Sequence, residues 1–270
     1  MRWINRKPGK LLTIFLAAMP FAAIVLAYLI ASEARLSVNP ADKLLPAPSR
    51  MFETFMTYAT EPSKRTGELL LWKDTAASLM RLAVGVGLAA LIGLCFGLYI
   101  GLVPAIGATL GPFAAAVSLV PPLAILPILF IVFGLGEVAK IALIVFGVAP
   151  FLIRDMAERT HALPMEQRVK AQTLGASTWL IALRVALPQI MPRLITSVRL
   201  ALGSAWLFLI AAEAIASTEG LGYRIFLVRR YLAMDVILPY VLWITFLAFL
   251  IDWSLKTLSR KLYPWAEVQE

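Results

Sequence analysis

Long uncharged runs alternate with short charge-rich connections along this chain. Residues 11–31 carry no charge and follow Arg2, Arg6, Lys7 and Lys10. About 20 apolar residues suffice to cross a hydrocarbon core. The run therefore predicts a first transmembrane helix rather than a cleaved leader, whose apolar region is shorter. Residues 32–74 are polar, of mixed charge, and contain Pro40, Pro46, Pro48 and Pro62. They read as an external loop with one amphipathic helix near 49–60. No charged residue occurs between 82 and 136, a stretch too long for one helix. A break at 101–104 divides it into helices near 75–101 and 105–133.

Pro121, Pro122 and Pro127 interrupt the second of these. Inside a membrane such a break is tolerated where neighbouring protein satisfies the backbone or where it lines a watery cavity. Three further spans are expected near 138–156, 193–216 and 236–258. Each keeps a charge at its boundary, because Lys140 and Arg154, Arg199 and Glu213, and Asp235 and Asp252 bracket the uncharged stretches. Gly85, Ala89, Gly93, Gly97 and Gly101 recur every four residues. They form one ridge where two backbones can approach closely, read as packing within the chain in preference to a dimer contact. Trp72, Tyr99, Tyr223, Tyr231, Trp253 and Tyr263 fall near helix ends, as an aromatic belt places them.

Composition agrees. The 270 residues are 60% hydrophobic and 15% charged, well below the roughly one-quarter charged residues of soluble domains. The net charge of +9 reads as basic flanks of membrane helices, not as a nucleic-acid surface. One cysteine, Cys95, and one histidine, His161, leave no disulfide framework and no metal site in prospect. Cys95 is expected as a small buried hydrophobe. The tight basic flanks at 2–10 and 256–261 place both termini on the cytoplasmic side, which requires an even number of spans. Three segments follow: an N-terminal helix and external segment (1–74), a transmembrane core (75–260) that includes the inner loop 157–192, and a cytoplasmic tail (261–270).

The longest inner connection, 157–192, has the markings of a folded knob. Pro164 can start a helix, 165–174 can continue it and Gly175 can end it in a left-handed cap. Ser177 can cap a second helix over 178–187, which Pro188 is expected to break. Such a projection suits a groove in another protein.

Gly175, with Val185-Ala-Leu187 and Pro188 downstream, resembles the cytoplasmic loop of binding-protein-dependent importer permeases. Val169, Lys170 and Ala171 stand where that family's pattern has Glu-Ala-Ala, so only the last alanine matches. Val120-Pro-Pro-Leu-Ala-Ile-Leu-Pro127, Phe133-Gly-Leu-Gly-Glu-Val-Ala-Lys140 and Leu174-Gly-Ala-Ser177 are similar to the nitrate/sulfonate/taurine branch. So are Arg199-Leu-Ala-Leu-Gly-Ser-Ala-Trp206, Ala211-Ala-Glu213, Gly220-Leu-Gly222 and, upstream, Leu44-Leu-Pro-Ala-Pro48. The likeness covers roughly residues 44–265.

This resemblance implies an all-α integral membrane protein of the type I ABC importer permease class, with about six transmembrane helices and a cytoplasmic coupling helix. It implies a pair of such subunits, a homodimer by default, in the inner membrane of a bacterium. Two ATPase subunits dock on the loop and a periplasmic binding protein delivers a small polar solute. No Gly-x-x-x-x-Gly-Lys-Ser/Thr phosphate loop is present, so ATP and Mg are expected in the partner ATPase and no cofactor is expected on this chain. The coupling contact is expected from Val169, Lys170, Ala171, Leu174, Gly175, Ala176 and Pro188. Glu213 reads either as a polar gate near the outer end of the path or as a buried ion-pair partner of Arg81 or Arg224. Ser118, Ser204 and Ser217, with Pro121 and Pro122, are candidates for lining the path. An ion-gradient-driven transporter is the alternative; neither an internal repeat nor a mid-membrane ionisable residue supports it. No nucleophile–base pair points to a membrane enzyme.

Overall fold

A computed structural model describes residues 9–40, 42–64 and 66–269. Arg2, Arg6 and Lys7, used above for orientation, lie outside them, as does Glu270 of the tail. Among the described residues every regular element is helical. Helix α1 (Lys10–Val38) has one buried residue, Ser32. Ser32 Oγ donates to the Leu45 carbonyl (3.0 Å) and Tyr28 Oη to that of Pro46 (2.7 Å). A helix apolar on all sides without protein around it is one solvated by lipid. Helix α2 (Pro48–Thr60) is the expected amphipathic element. Its Phe55 and Tyr58 pack on Trp243 and Tyr240 of the last long helix.

The core is built on α3 (Leu70–Leu102) and α6 (Glu137–His161). They lie so close that a Cβ at Gly93 would sit 2.5 Å from Leu152 Cβ, and one at Gly97 would sit 2.4 Å from Met156 Cβ. The four-residue ridge is thus a contact within the chain. Between these helices lie α4 (Pro104–Val117), a 3-10 turn (Pro122–Ile125) and α5 (Leu126–Phe133). Pro121 and Pro122 withhold the N–H groups that would carry α4 onward, and the α4–α5 pair is bent by 81° at this break. The single helix expected over 105–133 is therefore two.

After α7 (Met165–Thr173) and α8 (Thr178–Ile181) the chain runs through a π segment (Ala182–Ala186) straight into α9 (Leu187–Ala216). Pro188 does not break the chain here. The N–H of Leu187 reaches the carbonyl of Ala182, five residues back, and this wider turn accommodates the proline ring that would otherwise clash with the carbonyl four residues earlier. Two more helices follow, α10 (Leu221–Arg229), which the sequence reading did not assign, and α11 (Met234–Leu262). A 3-10 turn (Pro264–Gln269) closes the described chain.

Among the described residues four helices can cross a membrane by length and composition: α1, α3, the α8–α9 rod Thr178–Ala216, and α11. The bent α4–α5 pair makes a fifth. The remaining span of the sequence reading corresponds to α6, which carries charges at both ends and is buried between α3 and α9. It runs to His161, so the first residues assigned to the inner loop are its last turn. Cys95, expected as a small buried hydrophobe, is instead exposed on α3.

Candidate functional site

Two features stand at opposite ends of the α8–α9 rod. Ile181 and Glu213 are 32 residues apart on it, roughly 48 Å at 1.5 Å per residue. The first feature is the loop. Helix α7 ends at Thr173 with Leu174 as its C-cap, and Gly175 takes φ +81° with open space where a Cβ would stand. The Ala176 N–H donates to the Ala171 carbonyl (3.0 Å) and the Gly175 N–H to that of Gln172 (2.9 Å). This is the paired-bond Schellman ending that favours glycine, since other residues are strained in a left-handed turn. Ser177 then caps α8, its Oγ accepting from the Leu180 N–H at 3.3 Å, as serine does at a helix start.

The turn pushes apolar side chains outward. Leu174 is 81% exposed, Met165 68% and Trp179 60%, and Val169 is exposed beside them. Lys170, Gly175 and the second-helix residue Pro188 are exposed too, while Ala171 and Ala176 are half-buried supports of the turn. Val169, Lys170, Ala171, Leu174, Gly175 and Ala176 therefore cluster at the tip. Pro188 does not, lying at the start of α9. Trp179, Leu180 and Leu183 belong to the same apolar surface and were not picked out in the sequence. Three apolar residues so close after a helix cap are the signal that could have found them.

The second feature is a buried charge network at the far end. Arg81 is 3% exposed and Glu213 is fully buried. Arg81 Nη1 donates to Glu213 Oε1 (2.8 Å), while its Nε and Nη2 reach Glu137 at 2.5 and 2.9 Å. Ser78 Oγ lies 2.8 and 2.9 Å from the two Glu213 oxygens, and the Gly222 N–H donates to Glu213 at 2.8 Å. Buried Asp74 accepts from Arg224 Nε (2.8 Å) and from the Gly220 N–H (2.9 Å). Lys140 donates to Glu137 (2.6 Å). Three cations thus meet three carboxylates, with Glu137 exposed at the rim, and every buried charge has hydrogen-bond partners, the condition under which buried charges are tolerated.

Glu213 accordingly sits in an enclosed pairing with Arg81 and does not face open space. Asp74, Ser78, Glu137 and Lys140 were not singled out from the sequence. Asp74, Ser78 and Arg81 stand at i, i+4 and i+7, one face of a helix, and that spacing was the available signal. The remaining path candidates are scattered. Ser118 and Pro122 border a cavity against α6, and Pro121 is exposed at the bend. Ser204 is exposed, with its hydroxyl turned to the Ala201 carbonyl at 2.9 Å. Ser217 ends α9, and its buried hydroxyl has no partner among the described residues.

A core of long apolar helices, a bent helix pair and a capped apolar loop define a helical membrane protein. Residues 70–264 match the family described as binding-protein-dependent transport system inner membrane component, and the chain belongs to that family. It is 37% identical over 227 residues to the taurine transport system permease protein TauC of Escherichia coli (strain K12), covering 83% of this chain and 82% of that protein. It is 32% identical over 232 residues to the bicarbonate transport system permease protein CmpB of Synechococcus elongatus, covering 80% of each. A chain of the MetNI methionine ABC transporter in an inward-facing conformation shares the fold at TM-score 0.60 and 21% identity, covering 74% of this chain and 98% of that one. The protein is a multi-pass permease subunit of an ABC importer for small solutes. Its family is one of transport components, and importers of this kind work with ATPase and substrate-binding partners.

Proposed function

We propose that two copies of this chain form the membrane path of an importer, with one ATPase subunit docked on the loop of each. The observation that carries this reading is the exposed apolar tip, Val169, Leu174 and Trp179, held in shape by the Gly175 turn and Ser177 cap. Exposed apolar patches of this kind in water mark protein contacts. The ATPases bind ATP and Mg, this chain binds neither and performs no catalysis, and a periplasmic binding protein delivers the solute. Both termini lie in the cytoplasm, so the tip faces the ATPases and the Arg81–Glu213 network faces the periplasm.

Coupling is mechanical. The unbroken rod Thr178–Ala216 joins the docking tip to the far end, so closure of the ATPases tilts α9 as one lever. The π segment at its base gives that lever a place to bend. The solute is a small polar molecule of the kind named for the relatives, a sulfonate such as taurine or a small oxyanion such as bicarbonate.

The test is reconstitution with the candidate ATPase in liposomes, with ATP hydrolysis measured with and without loaded binding protein. The expected result is hydrolysis that needs both proteins and rises with the loaded binding protein. Gly175→Trp, placed at a turn open to solvent, is expected to leave insertion intact and abolish the stimulation. Unchanged stimulation in that variant would remove the loop from the coupling path.

A further inference from the structure

A cavity of about 360 Å³ lies between the α4–α5 bend and α6, bordered by Ser118, Pro122, Gly147, Pro150, Arg154 and Glu158. That volume falls in the range of small-molecule sites. Its inner wall is apolar, whereas its mouth on the loop side carries two exposed opposite charges. Arg154 and Glu158 stand at i and i+4 of α6, where side chains share a face with roughly 5–6 Å between Cβ atoms. They are not paired with each other among the described residues. Arg154 Nη1 donates to Ser118 Oγ (2.9 Å), and Ser118 Oγ in turn donates to the Ala115 carbonyl (2.7 Å). This contact holds the guanidinium towards the bend and uses one of its five N–H donors. The third charged residue of the lining, Asp155, is engaged elsewhere: it accepts from Arg159 at 3.0 Å and from Ser197.

A mouth of one sign would select an ion of the other. Here a forked donor and a free carboxylate lie one turn apart beside a hydroxyl, an arrangement matched by a molecule bearing both signs a few bonds apart. We propose that this mouth is a subsite for a small zwitterion, its sulfonate or carboxylate held by Arg154 and Ser118 and its ammonium group by Glu158. The proposal deepens the importer reading and rests on it. Forked contact between guanidinium and an anionic group is strong and directional, and loss of a charge-assisted hydrogen bond costs on the order of tenfold in affinity.

The test uses the full chain in nanodiscs with its ATPase partner, with saturation-transfer NMR on three probes: taurine, ethanesulfonate and ethylamine. In the native chain taurine is expected to give the strongest signal. Arg154→Gln is expected to weaken taurine and ethanesulfonate about tenfold, and Glu158→Gln to weaken taurine and ethylamine. Absence of a taurine signal, or equal signals in the native chain and both variants, overturns the subsite. Sensitivity of taurine to Arg154→Gln alone also overturns it, leaving a plain anion site. The same preparations are assayed for ATP hydrolysis stimulated by binding protein. If stimulation persists while the subsite signals fail, the subsite falls and the importer reading stands; if stimulation is missing, the importer reading itself falls.

Discussion

The two ends of the α8–α9 rod are built on opposite principles. At the Glu213 end, buried charges are neutralised by one another and by the exposed Glu137 at the rim. At the Leu174 end, apolar side chains are held out in the open by a turn that buries almost nothing. In a globular chain both arrangements look misplaced, with charges inside and leucine outside. In a membrane subunit with a soluble partner they are complementary. The network pins α3, α6, α9 and α10 together without asking anything of a partner, and the tip makes sense only once a partner covers it. Substitutions at one end should therefore register in the stability of the isolated chain, and those at the other in its dealings with another protein.

The largest effect is expected from Arg81→Met, which strips Glu213 of its cation while leaving the carboxylate buried. Removing one partner of a buried pair costs about 3–5 kcal/mol, so the purified chain should show a strongly lowered Tm or fail to accumulate. Adding Glu213→Gln should recover a good part of that loss, since the uncompensated charge goes with it. If the single substitution left the Tm unchanged, the network would not be the clamp described here.

Next comes Gly97→Leu on the α3 ridge. A Cβ there already falls 2.4 Å from Met156 and 2.9 Å from the Ile153 carbonyl, so α3 and α6 must separate. Overpacking of this kind costs roughly 1–3 kcal/mol or more, read as a lowered Tm; an unaffected Tm would show that the two helices can part cheaply. Smaller again is Ser177→Ala, which removes the cap of α8 for about 1 kcal/mol. Hydrogen exchange should quicken at Leu180 and nearby amides while the Tm hardly moves; unchanged exchange would mean the cap is not used.

Much of this contrast was legible in the sequence, for reasons that differ by region. The loop was readable because its determinants are local: Pro164, Gly175 and Ser177 each act on backbone within a turn of themselves. The ridge was readable because a four-residue period survives whatever packs on it. Pro188 misled because a proline normally ends a helix, and the π turn that absorbs it leaves no mark in residue type. The network was half visible. Glu213 stood out as a charge in an apolar run, and Arg81 was named among its partners. Asp74 and Ser78 share one face of α3 with Arg81, and Lys140 stands one turn from Glu137, but the contacts that join α3 to α6, α9 and α10 link residues more than fifty apart in sequence, which spacing along one helix does not encode. The 81° bend follows the same rule: the prolines mark the break, but the angle is set by what α4 and α5 pack against.

The most direct test of the central claim uses Leu174, 81% exposed at the tip. In a Cys95→Ser background, Leu174→Cys is labelled with a photoactivatable benzophenone and illuminated in membranes that also contain the candidate ATPase. An adduct of the permease with one ATPase subunit, absent when the label is placed instead at the exposed Phe249 within the apolar span of α11, is the result expected. A labelled chain of normal Tm that forms no ATPase adduct from position 174, or forms it equally from 249, would contradict the assignment of this loop as the docking surface.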